Sequence, residues 1–212
     1  MNAQKTISDS KELFYKEFPY VIPHIYRRIA DELIVELHLI SHIEDFKQDD
    51  LFAAGLKKTF NDLTIGYKPI EHLEKLFNAI CLSSGFDPIK IKEQSKRLKQ
   101  TAKELNLEKP EQLLDQNLEI NNNLKGQIAR VFNENNKFHT RLISIGILDL
   151  IHQTDISKKD HEQIIEICKN MGNMVGLSEE RVKKDISNYL RSIEKIEQFL
   201  ELQKELNKKR KS

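Results

Sequence analysis

Apolar residues recur along this chain at intervals of three and four, a spacing that places them on one face of an α-helix. No alternating run rich in β-branched residues is long enough to predict a strand. Proline, glycine and capping residues interrupt the pattern and divide it into nine predicted helices. They cover about 9–18, 23–42, 49–66, 69–83, 87–105, 118–132, 138–153, 158–174 and a last helix from 178 almost to the C-terminus. The predicted fold is an all-α, multi-helix globular bundle.

The last helix differs from the others, because its apolar residues alternate spacings of four and three. This is a heptad seam that turns polar at Gln203 and Asn207. We expect a helical body over 1–177 and a long helix over 178–212, which packs on the body at its start and continues as a basic, coiled-coil-like tail. The seam consists of Val182, Ile186, Tyr189, Ile193, Ile196 and Leu200.

The end of this helix loses the apolar seam and becomes basic. A cluster of like charges there suits contact with an acidic partner, and a solubilising helix end is the simpler alternative. The candidate contact residues are Lys204, Lys208, Lys209, Arg210 and Lys211.

Two glycines lie in the middle of predicted helices, Gly55 in "LFAAGL" and Gly146 in "LISIGI". Glycine inside a helix costs about 1 kcal/mol relative to alanine, so its presence needs a reason. The simplest reason is that another helix approaches closely over the missing side chain. We therefore interpret both glycines as sites of close helix packing.

Charged residues interrupt the second helix, "RRIADELIVELHLIS". Arg28 precedes Glu32 by four residues, so the two can pair along the helix. Glu36 projects into the apolar stripe and has no basic neighbour three or four residues away. A buried carboxylate needs a donor, and Arg141, which opens the most apolar helix, is the best candidate for a buried ion pair. Arg27, Asp31 and His38 are predicted to point away from the apolar stripe.

Composition and motifs narrow the candidate chemistry. The chain has 34 Lys and Arg against 33 Asp and Glu, a formal charge of +1, which argues against nucleic-acid binding driven by net charge. A phosphate-binding loop and a nucleophile elbow are both lacking, and so is the pair of Glu-x-x-His motifs of a di-iron bundle. Cys81 and Cys168 have no partner at metal-ligand spacing and are expected to be reduced core residues. We expect a protein without catalytic activity, cofactor or metal.

An alternative hypothesis is a DNA-binding regulator. The segment "IIEICKNMGNMVGLSEERVKKDISNYL" has the outline of a helix-turn-helix, with Arg181, Lys183 and Lys184 on its second helix. That helix continues beyond the length of a recognition helix. A carboxylate–metal enzyme is a third hypothesis, which would require metal to be retained on purification.

Longer stretches resemble a known family, the thylakoid formation proteins. They are "SDSKELFYKEFPYVIPHIYRRIADELIVELHLIS", "FKQDDLFAAGLKKTFNDLTIGYKP", "KFHTRLISIGILDLI" and "GLSEERVKKDISNYLRSIEKIEQ". The resemblance extends from about residue 6 to 198, but the Lys- and Asn-rich segment 92–134 contains no recognised family motif.

The resemblance implies a non-catalytic, peripheral thylakoid protein of photosystem II biogenesis and repair. Its implied partners are the FtsH-type membrane protease complex and photosystem II assembly components, with no nucleic acid. The start of the sequence resembles neither a secretory signal nor a transit peptide, and no apolar run is long enough to span a membrane. These features fit a cyanobacterial member at the cytoplasmic side of the thylakoid membrane. We expect a monomer or weak self-association through the C-terminal helix.

Overall fold

The computed structural model describes residues 5–104, 138–153, 160–174 and 176–209. These residues form α-helices and no strands, which confirms the predicted all-α class. The helices are α1 (Ile7–Glu17), α2 (His24–Ser41), α3 (Asp50–Leu63), α4 (His72–Ser83), α5 (Pro88–Glu104), α6 (Arg141–His152), α7 (His161–Met174) and α8 (Glu179–Lys209). The helix predicted over 118–132 lies outside the described residues.

Helices α1, α3 and α6 each begin after a short polar residue whose side chain accepts a backbone hydrogen bond. Asp49 caps α3 by accepting from the backbone N–H of Phe52 at 2.8 Å. At α1 the cap is Thr6, and Asp9 occupies the third helical position, where its carboxylate accepts from the backbone N–H of Thr6 at 2.7 Å. This helix was predicted to begin at about residue 9 and begins two residues earlier, because Asp9 completes the capping box from inside the helix.

Helices α3 and α6 cross with their backbones in close contact. A Cβ atom added at Gly55 would overlap the carbonyl oxygen of Leu142 and lie 2.8 Å from the backbone nitrogen of Gly146. A Cβ atom added at Gly146 would overlap the carbonyl oxygen of Leu51. The two backbones are thus in direct contact at this point. The close packing inferred from the sequence at both glycines is what the structure shows.

Helix α6 lies at the centre of the core. All its residues from Leu142 to Ile151 are buried. It packs against α3 on one side, and α5, α7 and α8 also contact it. Because apolar residues occur on every side of this helix, it needs neighbouring helices all round.

Helix α8 packs along the body through the predicted seam. Val182 and Ile186 are fully buried, Tyr189 and Ile196 nearly so, and Ile193 is partly buried against the same core. The last seam residue, Leu200, also packs on the core, and a Cβ atom at Gly66 would overlap its Cδ2 atom. The seam therefore packs on its own body as far as Leu200.

His38 is buried, contrary to the prediction that it faces away from the core. Its side chain lies under α1, where Nδ1 is 2.9 Å from the hydroxyl of the fully buried Ser10. The helix pattern of α2 alone did not reveal that α1 covers this second face. Burial lowers the pKa of His38, and the positive charges of His42 and Lys5 lower it further.

We predict that Gly55→Ala and Gly146→Ala each lower the free energy of unfolding by about 3 kcal/mol or more, because backbone atoms must move apart. Urea unfolding followed by circular dichroism measures this. Gly172→Ala is the comparison, since its Cβ atom would meet the movable Cγ2 atom of Val182 at 2.8 Å. We expect a smaller loss there. Unchanged stability of both the Gly55 and Gly146 variants would contradict the close crossing.

We predict that the protein loses stability as the pH falls through about 6.5. The pKa of His38 is lower in the folded than in the unfolded chain, so the unfolded chain binds the proton first and acid favours unfolding. His38→Gln should flatten the dependence of the unfolding free energy on pH between about 7.5 and 5.5. His24→Gln, at an exposed position, is the matched control. Equal slopes in wild type and His38→Gln would contradict this assignment.

Candidate functional site

An open groove of about 630 Å³ lies between α2 and the residues that begin α6. Its floor is apolar, formed by Val35, Leu39, Ile40, Ile43 and Phe138. Its rim carries charged side chains from α1, α2 and α6, among them Glu36 and Arg141. The groove can accept apolar groups but offers few unpaired polar partners, because its rim charges are largely paired with one another.

Glu36 and Arg141 form the ion pair expected from the sequence, and the contact uses both carboxylate oxygens. The Nε atom of Arg141 donates to Oε1 and Oε2 of Glu36 at 3.0 and 2.9 Å, and its Nη2 atom donates to Oε2 at 2.7 Å. Partial burial disfavours the charged guanidinium, but the hydrogen bonds and charge of Glu36 outweigh it, so the pKa of Arg141 is raised.

This pair is less buried than predicted. The side chain of Glu36 is 19% exposed and that of Arg141 is 39% exposed. Both residues line the rim of the groove instead of the closed core. The helix pattern predicted correctly which way the Glu36 side chain points, but not how far neighbouring residues bury it.

The local pair on α2 is also present. The Nε atom of Arg28 lies 2.9 Å from Oε1 of Glu32, and both side chains are largely exposed. Asp31, which precedes Glu32, lies 3.4 Å from Nζ of Lys11 on α1. Surface pairs of this kind contribute little to stability.

A cluster that the sequence reading missed joins α6 to α8. The Nε2 atom of His139 lies 2.7 Å from Oδ2 of Asp185, and the hydroxyl of Ser144 donates to the same carboxylate oxygen at 2.9 Å. A catalytic Ser-His-Asp relay places the hydroxyl and the carboxylate on different ring nitrogens. Here the hydroxyl also lies 3.2 Å from Nε2, so both groups meet the same nitrogen. The geometry is that of a structural tie. The sequence feature that could have predicted this contact is the position of Asp185. It lies three residues after Val182 and four before Tyr189, so it is on the same side of the helix as the apolar seam.

A second polar tie holds α8 further along. The hydroxyl of Tyr189 donates to the carboxylate of Asp62 on α3. Burial raises the pKa of Tyr189, and the hydrogen bond to Asp62 raises it further, so the hydroxyl keeps its proton. Asp62 is also paired with Lys58 at 3.0 Å.

The end of α8 carries an exposed apolar stripe, the second feature that the sequence reading missed. Phe199, Leu202 and Leu206 are 36%, 60% and 59% exposed. At about 100° per residue they share one face, separate from that of Leu200, and Lys195 and Lys209 lie on the same face at its two ends. Their spacing of three and four was visible in the sequence, but the neighbouring seam accounted for the helix without it.

The basic residues predicted to contact a partner lie at the same end of α8 as the exposed stripe. Lys204, Lys208 and Lys209 are exposed on the last turns of α8, and Arg210 and Lys211 lie outside the described residues. The helix continues to Lys209. From Glu201 onward every described side chain is exposed, so this end stands clear of the body.

The part of the chain that the structure describes was also compared with the features of a metal site, a membrane span and a reactive thiol. No group of three His, Cys, Asp or Glu residues there could hold a metal ion. None of its helices combines the length and the apolar character needed to cross a membrane. Cys81 and Cys168 are buried free thiols, and burial raises the pKa of Cys81 to about 12.

The DNA-binding hypothesis gains no support from the geometry. The first turn of α8, which would enter the groove of DNA, carries Glu179 and Glu180. Carboxylates at this position repel phosphates. Val182 and Ile186, which follow directly, are buried against the body.

The geometry defines an all-helical protein with a long C-terminal helix and two surfaces suited to contact, the groove beside α2 and the stripe on α8. Comparison with known sequences gives its family. Residues 6–212 match the family described as thylakoid formation protein, and the chain belongs to that family. The resemblance inferred from the sequence is thereby confirmed.

Relatives match over nearly their whole length. The chain is 42% identical to the protein Thf1 of Prochlorococcus marinus strain NATL1A over 203 residues, covering 95% of this chain and 96% of that one. It is 35% identical to the protein Thf1 of Synechococcus sp. strain CC9902, covering 97% and 90%. The solved structure of Psb29 matches with a TM-score of 0.76 and 26% identity, covering 98% and 97%.

We predict that Glu36→Gln lowers the free energy of unfolding by about 1–2 kcal/mol, because it weakens a bidentate, charge-assisted contact that is partly screened by water. Glu32→Gln makes the same chemical change one turn earlier on α2 and should cost less than about 0.5 kcal/mol. Denaturant unfolding of both variants measures the difference. Equal effects would mean that the Arg141 contact contributes no more than a surface pair.

Proposed function

We propose that this protein is a non-catalytic interaction protein of the thylakoid membrane that acts in photosystem II biogenesis and repair. In this proposal it binds the FtsH-type membrane protease complex from the cytoplasmic side and supports its accumulation or activity. Membership of the thylakoid formation family supports the site of action. The lack of a membrane-spanning helix among the described residues is compatible with peripheral attachment.

The observation that carries the proposal is the exposed stripe on α8. Apolar side chains are exposed to solvent along one face of α8, where the helix extends beyond the body. They belong to Phe199, Leu202 and Leu206. Exposed, contiguous apolar residues rimmed by polar ones are typical of protein contact sites. A helix of this kind binds by placing its apolar face in a groove of the partner.

The charges around the stripe specify the chemistry of the partner. Lys195 and Lys209 lie at the two ends of the apolar face, whereas Lys204 is exposed on the opposite side of the helix. A complementary surface would have an apolar groove bordered by carboxylates. We assign this surface to the protease complex, and the membrane surface is the alternative that the experiment separates.

The test uses the full-length protein with Leu202→Ser and Leu206→Ser together, bound to a resin and mixed with detergent-solubilised cyanobacterial thylakoids. We expect the amount of recovered protease to fall at least tenfold, which corresponds to about 1.4 kcal/mol or more of binding free energy. Deleting the residues after Leu200 should have at least the same effect.

Matched controls replace exposed apolar residues elsewhere. Val21 is 88% exposed and Ile89 is 65% exposed, so Val21→Ser and Ile89→Ser change surface hydrophobicity without touching α8. Both should recover the protease as wild type does. Undiminished recovery by the stripe variant and the deletion would refute α8 as the contact. Loss of binding to protein-free vesicles alone would assign the stripe to the membrane and also contradict the proposal.

A further inference from the structure

A second cavity, of about 660 Å³, is lined by the end of α3, the loop that follows it, and residues of α4 and α5. Three lysines line it, Lys57, Lys68 and Lys92, against one carboxylate, Glu74. The lining side chains therefore carry a net charge of +2, from three positive groups and one negative. Neither the groove beside α2 nor the stripe on α8 includes any of these lysines.

The carboxylate is already engaged. Nζ of Lys92 donates to Oε1 of Glu74 at 2.8 Å and to Oδ1 of Asn78 at 3.0 Å. Glu74 therefore neutralises Lys92 and is not the partner of the other two lysines.

Lys57 has no carboxylate partner among the described residues. Its ammonium group lies over aromatic rings, 4.2 Å from the ring centroid of Phe77 and 5.5 Å from that of Phe60. Nζ of Lys92 lies over the same Phe77 ring at 5.9 Å, so two ammonium groups gather around one ring. Cation–π contacts replace only part of the lost hydration of a half-buried ammonium group. Burial lowers the pKa of Lys57, and the charge of Lys92 lowers it further, the effect expected where positive charge is not balanced.

Tyr67 supplies a second, independent observation. It lines the cavity and is 2% exposed, and its hydroxyl is buried without a hydrogen-bond partner in the described part of the chain. A buried hydroxyl without a partner costs about 1–3 kcal/mol. Burial raises the pKa of Tyr67, so the hydroxyl keeps its proton as a donor.

The rest of the wall is apolar and partly open. Phe60, Ile65, Ile70 and Leu73 line the cavity beside the lysines. Ile70 is 70% exposed and Ile65 is 47% exposed, so the apolar part reaches the surface. The loop is held in place where the hydroxyl of Tyr26 donates to the carbonyl oxygen of Ile65 at 2.9 Å.

We infer that this cavity binds a phosphate or carboxylate group attached to an apolar body. The anion lies beside Lys57 and neutralises it, an oxygen of the ligand accepts from Tyr67, and the apolar part follows Ile65, Ile70 and Leu73 to the surface. Such a ligand could be a lipid head group with its chain or a soluble amphiphilic metabolite, since both present the same chemistry to these residues.

Isothermal titration of the full-length protein with n-octyl phosphate, below its micelle concentration, tests the inference. We expect saturable binding of one molecule per chain, at least tenfold weaker in Lys57→Gln and several-fold weaker in Tyr67→Phe. Lys57→Arg keeps the charge and should retain most of the affinity. Lys90→Gln, which removes an exposed charge on α5 outside the cavity, should bind as wild type does.

Three results would overturn the inference: no binding to wild type, equal affinity in Lys57→Gln and Lys90→Gln, or equal binding of neutral octyl glucoside. Vesicles containing anionic phosphatidylglycerol separate the two sources of the ligand. Lys57-dependent retention on vesicles assigns a lipid head group, and octyl phosphate binding without such retention assigns a soluble ligand; both support the anion site. The Leu202 and Leu206 variant should bind octyl phosphate normally, so the α8 contact and this site fail independently.

Discussion

The direct backbone contact between α3 and α6 at Gly55 and Gly146 sets the position of the start of α6 and so of the groove beside α2. Because the two helices cannot slide or rotate without collision, the residues that begin α6 are held in a defined place. Arg141 then lies beside Glu36 on α2, and His139 lies beside Asp185 on α8. The close approach that the two glycines allow thus positions two polar contacts, one at the first residue of α6 and one just before it.

Helix α8 is attached to the body by apolar and polar contacts at several points. Val182 and Ile186 are buried in the shared core, while Asp185 and Tyr189 make polar ties to α6 and α3. Apolar contacts supply most of the free energy, and hydrogen bonds with defined geometry fix the rotation of the helix about its axis. That rotation decides which side chains beyond Leu200 face solvent as the stripe.

The sequence predicts features that depend on the periodicity of a single helix, and it misses features that depend on how helices pack together. The two glycines and the direction of Glu36 follow from helix geometry, which the sequence encodes within a few turns. The burial of His38 and the tie at Asp185 depend on which helix covers a given face, and a single helix pattern does not contain that information. The stripe was missed for the same reason, since two apolar faces on α8 look alike until the body covers one. The cavity lysines, at positions 57, 68 and 92, come together only in the fold.

The continuity of α8 from the core to Lys209 has a mechanical consequence. Residues 201–209 extend about 14 Å beyond the last packed residue, at about 1.5 Å per residue, with no hinge between them and the body. A flexible linker would limit only the distance between the body and a bound partner. A stiff helix also fixes direction, so in the proposed complex a partner bound at its end would set the orientation of the whole body.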